Sequence, residues 1–171
     1  MIIWLNGTFG VGKTTTAGEM IAQDPSLRLF DPEWVGYMLT ANLGDRDIQD
    51  FQDLDAWRRL VPIVAHEIVE LTGQRLLAVQ SVLVEEYWLE LRRGLEALGH
   101  PVFHVVLDAD SDVLRERAET DVADHGAAQW RIDHLPAYEA ARTWLFDKAD
   151  IVVDTSDMTP GHVAATVLAA L

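Results

Sequence analysis

Residues 2–16 read IIWLNGTFGVGKTTT. Within this stretch, Gly7, Gly12, Lys13 and Thr14 have the spacing G-x-x-x-x-G-K-[ST] of a phosphate loop. Because glycine makes up only about 7% of average sequence, this combination should arise by chance on the order of once in ten thousand positions or fewer. An apolar, β-branched run precedes the glycines, and helix-forming residues follow them. The stretch therefore predicts a buried strand, a glycine-rich turn and the first turn of a helix.

The residue types in this turn suit the binding of phosphate groups. Glycines allow successive backbone N–H groups to point inward, and the helix that follows adds its positive end. Lys13 supplies a full charge for the β- and γ-phosphates, and the Thr14 hydroxyl is a hard oxygen ligand for Mg²⁺. We expect contacts with ATP from Gly7, Phe9, Gly10, Val11, Gly12, Lys13, Thr14 and Thr15.

Two alternatives to this interpretation are weaker. A dinucleotide fingerprint G-x-G-x-x-G would need a glycine at position 15, where Thr15 stands. A glycine turn that binds nothing would not require Lys13 or Thr14.

Composition limits the other functions open to the chain. The 171 residues predict a single domain, residues 1–171, that is large enough for a substantial core. With 28 acidic against 13 basic residues, the net charge of −15 argues against binding of nucleic acid or of an anionic membrane. No cysteine is present, so disulfides and thiolate metal sites are excluded. We expect a cytoplasmic monomer or homodimer.

The remaining chain alternates short apolar runs with amphipathic segments, which predicts an α/β fold with a parallel sheet. The predicted strands are Ile2–Leu5, Leu27–Phe30, Leu76–Gln80, Val102–Leu107 and Ile151–Val153. The predicted helices are Thr14–Ala22, Trp34–Leu43, Ala56–Leu71 with a kink at Pro62, Glu85–Leu98, a segment through Arg117, Ile132–Phe146 and Pro160–Leu171. Residues 119–129 are polar and predict a loop, within a small lid of about residues 118–131.

Asp31 is the second candidate catalytic residue. It follows a predicted strand, and ligand groups collect at the carboxyl ends of strands in open α/β sheets. In front of a γ-phosphate its carboxylate would accept the proton of a substrate hydroxyl. The alternative is a structural one, since Asp31 before Pro32 also suits the cap of a helix. Glu33 suits a first helical turn, and it could also help to hold a metal ion.

Four arginines, Arg115, Arg117, Arg131 and Arg142, surround the predicted lid. A transferred phosphoryl group needs a cationic clamp, and a closing lid can deliver one. We expect Arg117 and Arg131 to be catalytic and Arg115 to contact the nucleotide, although exposed surface arginines are the alternative. No acidic residue ends the third strand, so the predicted metal ligand is Thr14.

Other residues carry weaker signals. The aromatic residues Trp34, Tyr37 and Trp57 lie in the predicted acceptor-binding region, about residues 31–72, where they would line a pocket or belong to the core. Residues 154–157 could pass beneath the nucleotide base. The six histidines show no metal-ligand spacing.

Residues 2–14 together with Phe30-Asp31-Pro32-Glu33 resemble the tunicamycin-resistance ATP-binding proteins. These belong to the small P-loop kinases, with the shikimate, gluconate and chloramphenicol phosphotransferases. The resemblance implies a three-layer P-loop fold with strand order 2-3-1-4-5. It also implies that Asp31 acts on an acceptor hydroxyl.

Three functions are consistent with the sequence. The first is an ATP- and Mg²⁺-dependent phosphotransferase for a hydroxyl of a small molecule, with antibiotics and nucleoside-like compounds as candidate acceptors. The second is an ATP-binding protein that sequesters a drug such as tunicamycin without turnover. The third is a regulatory ATPase, which the missing acidic metal ligand disfavours.

Overall fold

The computed structural model describes residues 1–120 and 128–171, with the backbone alone for Ala128, Trp130 and Arg131. The strands of the described residues are β1 (Ile2–Asn6), β2 (Leu27–Phe30), β3 (Arg75–Val79), β4 (Val102–Asp108) and β5 (Ile151–Asp154). They form one sheet in the order β2-β3-β1-β4-β5, and every neighbouring pair is parallel. The predicted α/β class and the strand order are confirmed.

Helices cover both faces of this sheet. They are α1 (Lys13–Gln23), α2 (Glu33–Asn42), α3 (Asp55–Thr72), α4 (Glu85–Ala97), α5 (Ser111–Thr120), α6 (Ala128–Asp133), α7 (Leu135–Lys148) and α8 (Pro160–Ala169). A 3-10 turn, Phe51–Asp53, lies between α2 and α3. In the described ranges, no helix combines the length and the apolar character that crossing a bilayer requires.

Strand β1 shows how the sequence builds the three layers. Its apolar residues are fully buried, and successive side chains of a strand point to opposite faces. Ile3 and Leu5 therefore pack into the core beneath α1 and α8, whereas Ile2 and Trp4 pack into the core beneath α3 and α4. Burial on both faces explains the continuously apolar strand. It also holds the turn after Asn6 at the centre of the molecule.

The segment after β4 differs from the prediction. Residues 132–146 were expected to form one helix, but α6 ends at Asp133 and α7 begins at Leu135. Pro136 explains the break, because proline lacks an N–H and fits the first turn of a new helix. Helix α5 continues through Thr120, beyond the expected start of the loop. Most of the predicted lid, residues 121–127, lies outside the described residues.

Candidate active site

The turn between β1 and α1 has the backbone of a phosphate cradle. Gly7, Gly10 and Gly12 have φ angles of 132°, 79° and 96°, in the region that favours glycine. At Gly7 a Cβ atom would also collide with the carbonyl oxygen of Leu107 on the neighbouring strand. Helix α1 begins directly after Gly12, so the unpaired N–H groups of its first turn are directed toward the loop.

Lys13 lies against the backbone of this loop. Its Nζ donates to the carbonyl oxygens of Gly7 at 3.1 Å and Thr8 at 2.8 Å. Burial of the ammonium lowers the pKa of Lys13 to about 7, against the opposing effect of the Glu33 carboxylate. A phosphate placed in the loop would compensate for this desolvation, which suits Lys13 to an anionic ligand.

An open cleft of about 400 Å³ adjoins the loop on the side of β2 and β3. It is lined by Phe9, Gly10, Gly12, Lys13, Thr14, Thr15, Leu29, Asp31, Glu33, Val79, Gln80 and Ser81. The cleft thus joins the predicted phosphate-binding residues to Asp31. Parallel strands cause this arrangement, because their carboxyl ends share one edge of the sheet.

Asp31 combines the two roles that the sequence left open. Its Oδ1 accepts a hydrogen bond from the backbone N–H of Glu33 at 2.9 Å, which caps the start of α2. Its Oδ2 makes no hydrogen bond with any described residue. One oxygen therefore fixes the side chain, and the other is available to a ligand in the cleft.

Gln80 is a cleft residue that the sequence did not single out. Its Nε2 donates to the carbonyl oxygen of Ser81 at 3.3 Å, but its buried Oε1 has no partner among the described residues. The buried Thr8 hydroxyl in the loop also lacks one. Unpartnered buried oxygens are uncommon, and Gln80 lines the cleft, so its side-chain oxygen is suited to a polar ligand there. The only sequence signal was that Gln80 follows a strand next to β1.

The oxygen-rich cleft also fits Mg²⁺, which prefers hard oxygen ligands and retains several waters. Thr14 lies at the cleft with an exposed side chain. Asp31, Glu33 and Gln80 add further oxygens. The Glu33 carboxylate accepts from the Tyr37 hydroxyl at 2.8 Å, which restrains it beside the cleft.

Arg117 lies on the other side of the loop. A second cleft of about 330 Å³ is lined there by Gly10, Val11, Gly12, Thr15, Thr16, Arg117, Thr155, Met158, Pro160 and Val163. Arg117 donates to Thr155, to Oγ1 at 3.1 Å and to the carbonyl oxygen at 2.7 Å. Thr155 Oγ1 in turn donates to the carbonyl oxygen of Val11 at 3.2 Å. Arg117 thus shares a cleft with the loop and with Thr155, the one member of residues 154–157 that lines it, but not with Asp31.

Arg115 and Arg142 line neither of the two clefts beside the loop. Arg115 is exposed and lines a separate depression with Asp133 and Glu139. The Arg142 guanidinium forms an ion pair with Asp108 at the end of β4. The side chain of Arg131 lies outside the part of the chain that the structure describes.

The three aromatic candidates divide between surface and core. Trp57 is fully buried and donates from Nε1 to the carbonyl oxygen of Pro32 at 3.0 Å, so it is a core residue. Trp34 and Tyr37 are exposed on α2, with ring centroids 5.8 Å apart in an edge-to-face arrangement. Tyr37 reaches the cleft only through its hydrogen bond to Glu33.

Comparison with known proteins decides the family. Residues 2–131 match the family model of an AAA domain. The chain belongs to this AAA-domain family. No curated protein sequence matches the chain. The matched range of this AAA-domain protein includes the phosphate loop, Asp31, Gln80 and Arg117.

Solved structures with the same fold cover almost the whole chain. The tunicamycin resistance protein of Deinococcus radiodurans is 26% identical, with a TM-score of 0.73 over 98% of this chain and 93% of that one. A sugar kinase from Janibacter sp. HTCC2649 is 19% identical, with a TM-score of 0.69 over 98% and 92%. A gluconokinase from Sinorhizobium meliloti 1021 is 18% identical, with a TM-score of 0.64 over 98% and 89%. The AAA-domain protein therefore has the fold of small P-loop kinases, as its sequence predicted.

Proposed function

We propose that this protein is a phosphotransferase that moves the γ-phosphate of ATP to a hydroxyl group of a small molecule. The observation that carries the proposal is the cleft shared by Lys13, Thr14 and Asp31. In this cleft the phosphate-binding loop lies beside an Asp31 carboxylate oxygen that makes no hydrogen bond with any described residue. The kinase names of two structural neighbours support the same reaction class.

The residues of the cleft have different roles in the proposed reaction. The loop N–H groups and Lys13 hold the phosphates and stabilise the charge that develops during transfer. Asp31 Oδ2 accepts the proton of the acceptor hydroxyl, while the capping contact of Oδ1 keeps the carboxylate in place. The acceptor oxygen forms the new bond to phosphorus, and the bond from phosphorus to the ADP oxygen breaks. Mg²⁺, held by Thr14, would neutralise charge on the phosphates.

A second function has one specific observation in its favour. The neighbour with 26% identity is a tunicamycin resistance protein, and it matches almost the whole chain. This chain would then bind ATP and sequester a drug of that kind without turnover. In this alternative Asp31 is only the cap of α2, and its free oxygen contacts a ligand without accepting a proton.

Asp31→Asn distinguishes the two functions. Asparagine caps helices about as well as aspartate, so the fold should persist, but its amide is not a general base. We expect phosphate transfer to fall by about 10²–10⁴. The measurement is ADP release with and without a panel of hydroxylated acceptors, with mass detection of the phosphorylated product.

Asp50→Asn is the matched control. Asp50 also caps a turn, since its Oδ1 accepts from the N–H of Gln52 at 2.8 Å, but it lies outside the cleft. This variant should transfer phosphate at the wild-type rate. An Asp31→Asn variant that is equally active would exclude Asp31 as the base. Binding of a drug without release of ADP would favour sequestration.

A further inference from the structure

Two histidines and a glutamate, side chains of types that can bind metal ions, meet on the face of the molecule formed by α3 and α4. His66 and Glu70 lie one turn apart on α3, and His100 lies between α4 and β4. The Nδ1 atom of His66 is 2.8 Å from the Nε2 atom of His100. One ligand atom from each of the three residues lies within 4.8 Å of the others. Among the described residues, this is the one such cluster of three or more histidine and acidic side chains.

This cluster is separate from the candidate active site. His100 precedes Pro101, whose carbonyl oxygen accepts from the N–H of Ile2 at the start of β1. The phosphate loop begins at the other end of the same strand, after Asn6. At a rise of about 3.3 Å per residue, the five residues of β1 separate the two sites by roughly 16 Å.

We propose that His66, Glu70 and His100 form a binding site for a divalent transition-metal ion, with Zn²⁺ as the expected ion. Two imidazole nitrogens and one carboxylate oxygen are a common ligand set of zinc, and a water would complete a tetrahedron. With bonds of about 2.0–2.1 Å, tetrahedral geometry requires ligand atoms about 3.3 Å apart. The two nitrogens need to separate only slightly from their present contact, and Glu70, which is exposed, has room to approach.

The site would fasten α3 to the segment that leads into β4. His66 and His100 are 34 positions apart in the sequence, and Glu70 supplies the exposed side of the site. Because metal binding is coupled to folding, the expected effect is a higher melting temperature. The phosphotransferase cleft contains none of these residues, so this inference does not depend on the proposed function.

The first test is a Zn²⁺ titration of chelator-treated protein in excess Mg²⁺, which occupies any site at Thr14. We expect one Zn²⁺ per chain, a higher melting temperature, and a visible Co²⁺ spectrum of a tetrahedral nitrogen and oxygen site. Glu70→Gln should weaken binding by about tenfold or more. Glu67→Gln is the matched control, because Glu67 is an exposed carboxylate on the same helix outside the cluster.

The histidines are tested separately. His66→Ala should abolish Zn²⁺ binding and the Co²⁺ spectrum, whereas His162→Ala, which removes an exposed histidine of α8, should leave both unchanged. Glu70 is exposed, so Glu70→Gln remains informative even if a histidine variant folds poorly. The proposal is wrong if wild type retains no Zn²⁺. It is also wrong if both Glu70→Gln and His66→Ala bind Zn²⁺ as tightly as wild type, in which case His66 and His100 are a hydrogen-bonded pair only.

Discussion

The fold and a bound phosphate have opposite effects on the pKa of Lys13. Without a ligand its ammonium is held by two backbone carbonyl oxygens, and burial lowers its pKa to about 7. Anionic phosphates would favour the charged form and raise this pKa again. Above pH 7, nucleotide binding should therefore be accompanied by protonation of Lys13.

This coupling gives a prediction with a definite sign. At pH 8 most Lys13 side chains are neutral before binding, so a non-hydrolysable ATP analogue should cause uptake of nearly one proton per molecule bound. At pH 6 the side chain is already charged, and the uptake from Lys13 should disappear. Proton uptake is measured with a pH indicator at saturating analogue. Lys13→Met should show no uptake at pH 8, and Lys148→Met should behave as wild type; equal uptake by wild type and Lys13→Met would contradict the assignment.

Arg117 and Arg115 lie two positions apart on α5 but in different surroundings. Arg117 adjoins the loop and Thr155, whereas Arg115 is exposed in a separate depression. A hydrogen bond from the charged Arg117 guanidinium to bound ATP would be worth about 1.5–3 kcal/mol. Because Arg117→Ala removes this bond, it should weaken ATP affinity by roughly tenfold or more. Arg115→Ala should change it by less than about twofold. Isothermal titration of both variants checks this.

The same pair tests the catalytic role predicted for Arg117. An arginine that stabilises the transition state can contribute about 10³–10⁵ to the rate. The position of Arg117 beside Thr155, away from Asp31, favours an effect on affinity with a kcat within about threefold of wild type. A kcat lower by a thousandfold with unchanged affinity would support the catalytic role instead.

At the scale of elements, α3 and α4 pack against each other where Pro62 meets Gly94. Pro62 lies within α3 and is buried, and a Cβ atom on Gly94 of α4 would lie 2.7 Å from its Cγ. The absence of a side chain at Gly94 therefore lets the proline ring fit between the helices. The contact fixes the two helices that carry or precede the histidine cluster.

Two glycine substitutions test this packing. Alanine favours a helix by about 1 kcal/mol over glycine, so propensity alone predicts stabilisation at either site. At Gly94 the collision with Pro62 should outweigh this term, with a net loss of about 1–3 kcal/mol in the free energy of unfolding. At Gly18 in α1 nothing lies within 4 Å of the new Cβ, so Gly18→Ala should stabilise by up to about 1 kcal/mol. Urea unfolding measures both changes, and a Gly94→Ala variant as stable as wild type would show that the helices can separate.

At the scale of the whole molecule, the parallel sheet separates two kinds of site. The carboxyl ends of β1, β2 and β3 surround the phosphate loop and its cleft, while the histidine cluster lies near the amino ends of β1 and β4. The net charge of −15 gives no general attraction for ATP. Affinity for phosphate must then come from local geometry, namely the loop glycines, the first turn of α1 and Lys13.

The features that depend on local chemistry were predictable from the amino-acid sequence alone. The glycines, Lys13 and Thr14 predicted the loop because each residue type serves one requirement of phosphate binding within a short segment. Apolar runs predicted the parallel sheet, since strands buried on both faces need no polar alternation. The helix break before Leu135 could also have been predicted, because Pro136 marks it. The helical periodicity of the surrounding residues predicted one continuous helix instead.

Which distant side chains meet depends on how the strands and helices pack. Three features depend on elements that are far apart in the chain. They are the unpartnered oxygen of Gln80 in the cleft, the position of Arg117 on the side of the loop away from Asp31, and the contact of His66 with His100. Trp57 likewise became a core residue through its packing and its bond to Pro32. None of these contacts has a sequence signature, because strand order and helix packing set the distances between residues that are far apart in the chain.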